Sequence, residues 1–163
     1  MLKCLKKILK NNWIYSKYFH IRYVKHRQLK VSPTLDEELL FYSKLLNSKG
    51  LIFDIGANHG DKTAAFALIS KKVVALEPDR SNFSFLSSRF YNDSNVTVLN
   101  KAISSKTGTA TFFINNHGSG LNTIDTKRQK KMQFKTGYEV KTITIDSLIT
   151  KFGNPDFIKI DVE

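Results

Sequence analysis

A chain of 163 residues with 41% hydrophobic and 12% aromatic content is long enough for one domain with its own core and too apolar for wholesale disorder. Its one cysteine, Cys4, excludes a disulfide framework and a cysteine-type zinc site, and no run approaches the roughly 20 apolar residues of a membrane span. The formal charge of +12 is lopsided: residues 1–30 carry nine Lys or Arg and no acid, and the remaining 17 basic and 14 acidic residues leave only +3.

Residues 1–32 read as a basic amphipathic extension and 33–163 as the folded domain. In the extension Leu2, Leu5, Ile8 and Leu9 fall at helical spacing between Lys3, Lys6, Lys7 and Lys10, and Trp13, Tyr15, Tyr18, Phe19 and Tyr23 follow. Two readings stand. One is a lead helix packing on the domain. The other is a peripheral membrane contact through residues 1–30, in which each cation near an anionic leaflet contributes roughly 1 kcal/mol and the aromatic rings sit at the headgroup layer. A signal peptide does not fit, because lysines interrupt every apolar run. The expected location is cytoplasmic, at the inner face of the membrane under the second reading.

Past Pro33, residues 35–46 predict an amphipathic helix with acids in its first turn. Strands and helices then alternate. Leu51 to Ile55 suits a strand buried on both faces, Asp61 to Ile69 a helix, Val73 to Leu76 a strand stopped by Pro78, Ser81 to Tyr91 a helix and Val96 to Leu99 a strand. Residues 101–105, 109–114 and 138–144 have β-branched, alternating character, separated by a turn at Thr107-Gly108 and by a loop over 115–137 that carries Lys127, Arg128, Lys130 and Lys131. A short helix over 145–151 and a buried strand over 157–162 complete the pattern, which predicts an α/β fold with a doubly wound, Rossmann-like parallel sheet. A parallel strand expects a crossover helix after it, so a chain ending on Asp161-Val162-Glu163 reads as a fragment or truncated product, with the sheet incomplete on that side.

In such a sheet ligands bind outside the carboxyl ends of the strands, and the turn after the first strand comes closest to a cofactor. Here that turn follows Leu51-Ile52-Phe53-Asp54-Ile55 and reads Gly56-Ala57-Asn58-His59-Gly60. Gly56 and Gly60 allow positive φ and a close approach, and the next helix points free amides at the bound group. Glu77, at the end of the second strand, suits ribose hydroxyls. A dinucleotide site spaces its glycines Gly-x-Gly-x-x-Gly and keeps carboxylates away from the pyrophosphate; here the order is Asp-x-Gly-x-Asn-x-Gly. The Asp54 carboxylate repels a pyrophosphate but suits the ammonium and sulfonium of S-adenosylmethionine. A Walker loop is excluded, since no Gly-Lys-Ser/Thr follows.

Phe53-Asp54-Ile55-Gly56-Ala57-Asn58-His59-Gly60, Ala75-Leu76-Glu77-Pro78-Asp79, Asn100-Lys101-Ala102-Ile103-Ser104 with Gly108, Thr144-Ile145-Asp146-Ser147-Leu148 and Ile158-Lys159-Ile160-Asp161-Val162-Glu163 together resemble, in order and spacing, the FkbM family of class I S-adenosylmethionine-dependent methyltransferases. The resemblance implies a sheet in the order 3-2-1-4-5-7-6 and O-methylation of a hydroxyl on a sugar, a related small metabolite or a cell-surface glycan. It implies further that the family's Asp-Val-Glu continues into Gly-x-Glu and three more strands, so that this chain holds the nucleoside half with impaired activity. By the same resemblance Asp54, Gly56, Asn58 and Gly60 line the cofactor turn, Glu77 holds the ribose and Asn100 reaches the adenine edge. Asp161 sits beside the transferred methyl as an amine contact or as the catalytic base. His59 is a variable loop position in the family and ranks below Asp161 as a base; His117 falls in a substrate-side loop. No metal site is expected. The alternative is a non-catalytic, basic membrane- or nucleic-acid-binding protein with a decayed methyltransferase domain. Nucleic-acid methylation is not favoured, because the fourth strand lacks an Asn/Asp-Pro-Pro-Tyr/Phe motif and the positive charge is not built around the site.

Overall fold

The computed structural model describes residues 35–46, 50–114, 122–132, 134 and 136–162. Residues 1–34 with the basic extension, His117 and Glu163 lie outside the described residues. Helix α1 (Leu35–Leu45) leads into β1 (Leu51–Ile55), α2 (Asp61–Ile69), β2 (Lys72–Leu76), α3 (Arg80–Arg89) and β3 (Val96–Leu99). After them come β4 (Ala102–Ile103), β5 (Gly108–Ile114), α4 (Thr126–Met132), β6 (Thr136–Ile143), α5 (Ile145–Phe152) and β7 (Phe157–Ile160). Four strands form a parallel sheet in the order β3-β2-β1-β7, with β1 paired to β2 from Leu51↔Lys72 to Ile55↔Leu76 and to β7 from Ile52↔Phe157 to Ile55↔Ile160. With β7 in the fourth place, this agrees with the first four positions, 3-2-1-4, of the order the resemblance implies.

The pleat decides which residue faces which layer. Phe53 and Ile55 of β1 pack with Val74, Leu76 and Ile143 and with Leu148 of α5. Ile52, on the opposite face, packs with Phe66 of α2 and Val73, closed over by Tyr42 of α1 and by Phe157. Where α2 and α3 approach the sheet most closely, the contact surfaces are small: Ala57, Ala64, Ala65 and Ala75, with Leu86 and Phe90 filling the rest. Each fully buried Ile, Leu or Phe contributes about 1.5–3 kcal/mol, so β1 and β2 are the most strongly held part of the described fold. Asp54 shares Ile52's face and is fully buried. In the parallel register Lys159 of β7 lies directly beside it.

The predicted single sheet is interrupted. β5 and β6 form an antiparallel pair, Gly108↔Thr142 to Ile114↔Thr136, and β4 joins β6 in parallel, making a separate three-stranded sheet around Ala102, Phe112 and Val140. The alternation Thr109-Ala110-Thr111-Phe112 supports one buried face only, which is the signature of an antiparallel pair and not of a strand buried on both faces. Within the stretch expected as loop, residues 126–132 are helical. The Asp125 side chain accepts from the Lys127 amide at 2.8 Å and starts that turn, and Gln129 closes it by donating to the Phe134 carbonyl at 2.7 Å. The small sheet is pinned to α3: the Arg80 amide donates to the Tyr138 hydroxyl at 2.9 Å, and the Arg80 guanidinium lies 4.3 Å over the Tyr138 ring. No helix among the described residues is long and apolar enough to cross a membrane.

Candidate functional site

The carboxyl ends of β1, β2 and β7 meet at one corner. After Ile55 the chain turns on Gly56, whose φ of 76° belongs to the left-handed region, and the amides of Gly56 and Ala57 both donate to the Leu76 carbonyl, at 3.0 and 2.9 Å. A Cβ on Gly56 would overlap the carbonyl oxygen of Asp161, so the missing side chain admits the end of β7. Asn58 is the only described non-glycine residue with positive φ, 51°, a conformation asparagine tolerates better than most. Gly60, at φ 81°, caps α2, and a Cβ there would run into Leu86 and Phe90 of α3. Both glycines therefore serve close packing of the chain on itself.

Asp54 is aligned from two sides. Its Oδ2 accepts from the Thr63 hydroxyl of α2 at 2.5 Å, and its Oδ1 faces the Lys159 ammonium at 3.2 Å. The second contact is an ion pair without hydrogen-bond geometry, which leaves Oδ1 a buried acceptor with no hydrogen bond. Asn58 Oδ1 is likewise buried and without a donor. Lys159 itself donates to the Gly56 carbonyl at 2.8 Å and stands 3.5 Å from Asp161 Oδ2. Asp161 continues the ladder through its amide, which donates to the Ile55 carbonyl at 3.0 Å, while its carboxylate is largely exposed.

Glu77 turns inward. Its Oε2 accepts from the Asn58 amide at 2.7 Å and its Oε1 from the Asp79 amide at 2.9 Å, so one carboxylate ties the β1 turn to the β2 turn. Asp79 caps α3 through Ser81 and Asn82, at 2.9 and 3.0 Å, and also takes the Asn122 amide at 3.3 Å. Asn100, after β3, donates to the carbonyls of Glu77 and Pro78 at 2.8 and 3.1 Å. It braces the loop behind Glu77. His59 is exposed, its ring 5.0 Å from Phe85 and its carbonyl taken by Arg89 at 2.7 Å.

The corner thus presents three carboxylates, Asp54, Glu77 and Asp161, one ammonium, and two buried acceptors with hydrogen-bonding capacity to spare. It has no glycine-rich run of free amides for a pyrophosphate, and among the described residues no cluster of His, Cys, Asp or Glu is placed to hold a metal. Residues 54–163 match the methyltransferase FkbM domain. The chain belongs to the FkbM methyltransferase family. No match was found among curated proteins. Among solved structures, this FkbM chain is similar to an rRNA methylase from Streptococcus thermophilus at 18% identity, with 47% of this chain and 56% of that one covered and a TM-score of 0.36. It is also similar to Trm5b from Pyrococcus abyssi at 18% identity, covering 45% and 26%, with a TM-score of 0.36. A candidate RNA methyltransferase from Pyrococcus horikoshii matches at 21% identity over 43% of this chain and 42% of that one, with a TM-score of 0.35. In each case the match spans less than two thirds of the solved chain. These likenesses concern the α/β fold.

The structure brings Asp54, Gly56, Asn58, Glu77 and Asp161 to the corner, whereas Gly60 and Asn100 stand behind it as packing and bracing residues. Lys159 and Thr63 are the participants the sequence did not announce. Thr63 sits nine positions after Asp54, on the first turn of α2, where a hydroxyl at the sheet-facing position is the available signal.

Burial pushes the Glu77 carboxyl above its ordinary value of 4.5; the amides of Asp79 and Asn58 oppose the rise, the Asp79 charge adds to it, and Asn82 opposes it again. Folded Glu77 therefore holds its proton more tightly than unfolded Glu77, and its contribution to stability falls as pH rises from 4.5 through the raised folded value. The expected result is that the stability of the wild type, measured relative to Glu77→Gln by urea unfolding, decreases across that window. A rising difference would contradict the assignment. At neutral pH glutamine still loses, by about 1–3 kcal/mol, because one of the two amides then meets an NH2 group in place of an oxygen.

Proposed function

We propose that this chain binds S-adenosylmethionine at the corner and serves an O-methyltransferase that acts on a hydroxyl of a sugar, a related small metabolite or a cell-surface glycan. One observation carries the cofactor reading: the two buried acceptors without hydrogen bonds, Asp54 Oδ1 and Asn58 Oδ1, lie at the end of β1 and in the turn after it, where ligands of such sheets bind. A ligand bearing an ammonium and a sulfonium satisfies them; a pyrophosphate does not. The residues fit the group. Asp54, held by Thr63 and Lys159, takes the cationic end together with Asn58. The Glu77 carboxylate accepts the amides of Asn58 and Asp79 and the Asn82 side chain, and of its roughly four acceptor positions this leaves one for a ribose hydroxyl.

Bound there, S-adenosylmethionine supplies an electrophilic methyl group. The chain's share of the chemistry is to hold the acceptor oxygen in line and to take up its proton, and most of the rate comes from the positioning. Asp161 is the exposed carboxylate at the strand end and accepts that proton. The acceptor class rests on the family resemblance, and membrane contact through residues 1–30 remains part of the same proposal.

Calorimetry tests it on the purified protein. S-adenosylmethionine and S-adenosylhomocysteine are expected to bind in the micromolar range, and NAD is not. Asn58→Gly keeps the left-handed turn and the backbone amide that Glu77 accepts and deletes the side-chain carboxamide with its unspent oxygen, so it is expected to weaken cofactor binding by about tenfold with little change in the unfolding midpoint. A folded wild type that binds neither sulfur ligand ends the cofactor reading, and tight NAD binding would replace it with a dinucleotide one.

A further inference from the structure

We propose that Lys159 sets the charge of this corner and thereby limits its preference for a sulfonium over the neutral thioether left after methyl transfer; the inference rests on the cofactor reading above. Three charged groups meet at the strand ends. The Lys159 ammonium lies 3.2 Å from Asp54 Oδ1 and 3.5 Å from Asp161 Oδ2. It is held there by the Gly56 carbonyl at 2.8 Å, with the Ile55 carbonyl at 3.5 Å, and the side chain is only 11% exposed. An apolar side chain at this register would continue the packing of Phe157, two residues earlier on the same face, without the cost of desolvating an ammonium. What the lysine contributes instead is charge. With it the trio carries −1; without it Asp54 and Asp161 would leave −2.

The difference matters for methyl transfer in particular. As the acceptor oxygen forms its bond to carbon, the carbon–sulfur electron pair stays on sulfur, the hydroxyl proton leaves to Asp161 or water, and a sulfonium becomes a neutral thioether. Negative charge around the sulfur therefore stabilises the starting state more than the transition state or the product. A corner at −2 would hold the sulfonium too well and slow its consumption. Lys159 acts through Asp54 and Asp161 as a positioning and charge-setting residue.

The test is the ratio of the dissociation constants for S-adenosylhomocysteine and S-adenosylmethionine, read by calorimetry, because the two ligands differ at the reacting sulfur by one charge and one methyl. Lys159→Met is expected to raise that ratio about tenfold, the size expected for one charge acting across several ångströms of a partly solvated site, while Lys159→Arg leaves it unchanged. A purely structural role would weaken both ligands alike and leave the ratio where it was, and that outcome, or a fall in the ratio, overturns the proposal. If Lys159→Met alone does not fold, the comparison is made on an Asp54→Asn background. There Thr63 keeps an acceptor and no buried carboxylate is stranded, and adding Lys159→Met is again expected to raise the ratio about tenfold. A wild type that binds neither ligand defeats the cofactor reading itself; a wild type that binds both while Lys159→Met leaves the ratio unmoved defeats the Lys159 inference alone.

Discussion

Gly56→Ala is expected to cost the fold about 3–5 kcal/mol, enough to leave a domain of this size marginal or unfolded. Two penalties combine at this position. A φ of 76° costs an alanine on the order of 1 kcal/mol, since its Cβ crowds the neighbouring carbonyl. The larger penalty is steric, because the new Cβ would occupy the space of the Asp161 carbonyl oxygen and press on Val162. Relief requires β7 to move away from β1. Yet the Asp161 amide is bonded to the Ile55 carbonyl and Lys159 is bonded to the Gly56 carbonyl, so backing off breaks the ladder and the buried ion pair together. Gly108→Ala is the comparison: its φ of 159° strains an alanine too, but nothing lies within 4 Å of its Cβ, so only the backbone penalty of about 1–2 kcal/mol is expected there and no steric one. Urea midpoints for the two variants decide the matter. Equal midpoints would show that β7 is not locked against the β1 turn.

The contrast between these glycines also shows what the sequence could and could not reveal. That Gly56 needs positive φ was legible, because a glycine directly after a strand that is apolar but for Asp54 marks a turn at the strand's end. That the space beside it belongs to Asp161 was not, because this contact joins segments over a hundred positions apart and depends on which strand lies next to β1. Lys159 was hidden for the same reason. Ile158-Lys159-Ile160 lies in a stretch that reads as a buried strand but gives its lysine no partner, and only the register Asp54↔Lys159 sets it beside a buried carboxylate. The parallel core was legible throughout, since β1, β2 and β3 are short apolar runs bounded by Gly50, Pro78 and Asn100 and alternate with helices, while their order was an implication of the family resemblance. Helix α4 was not, because Thr-Lys-Arg-Gln-Lys-Lys-Met has no apolar stripe and its start depends on the local cap at Asp125. Glu77 was assigned to a ligand from its place at the end of β2. Its amide bonds to Asn58 and Asp79 add a structural duty that no motif encodes.

The second large effect is expected at Asp54, where stability and binding separate according to the replacement. Asp54→Ala removes the acceptor of the Thr63 hydroxyl and strands the Lys159 ammonium in an interior position with only backbone carbonyls and the exposed Asp161 for partners. Breaking a buried ion pair from one side costs about 3–5 kcal/mol, most of it the penalty of the charge left behind. Asp54→Asn keeps an oxygen for Thr63 and a side chain of nearly the same shape, so about half of that loss is expected. Cofactor binding is expected to respond to charge more than to shape. With asparagine the trio of Asp54, Lys159 and Asp161 becomes neutral, and S-adenosylmethionine affinity should fall by at least about tenfold while the affinity for the neutral thioether changes less. Lys159→Met added to Asp54→Ala removes the stranded ammonium and returns the trio to −1 through Asp161 alone, so it should recover part of the lost stability and the charge-dependent part of the sulfonium affinity, while affinity for both ligands stays below the wild type because the Asp54 Oδ1 acceptor is gone. Urea unfolding and calorimetry on the same four proteins separate the two roles. Full recovery of both affinities by the double variant would mean that Asp54 makes no direct contact with the ligand; a shortfall common to both ligands assigns its carboxylate to that contact.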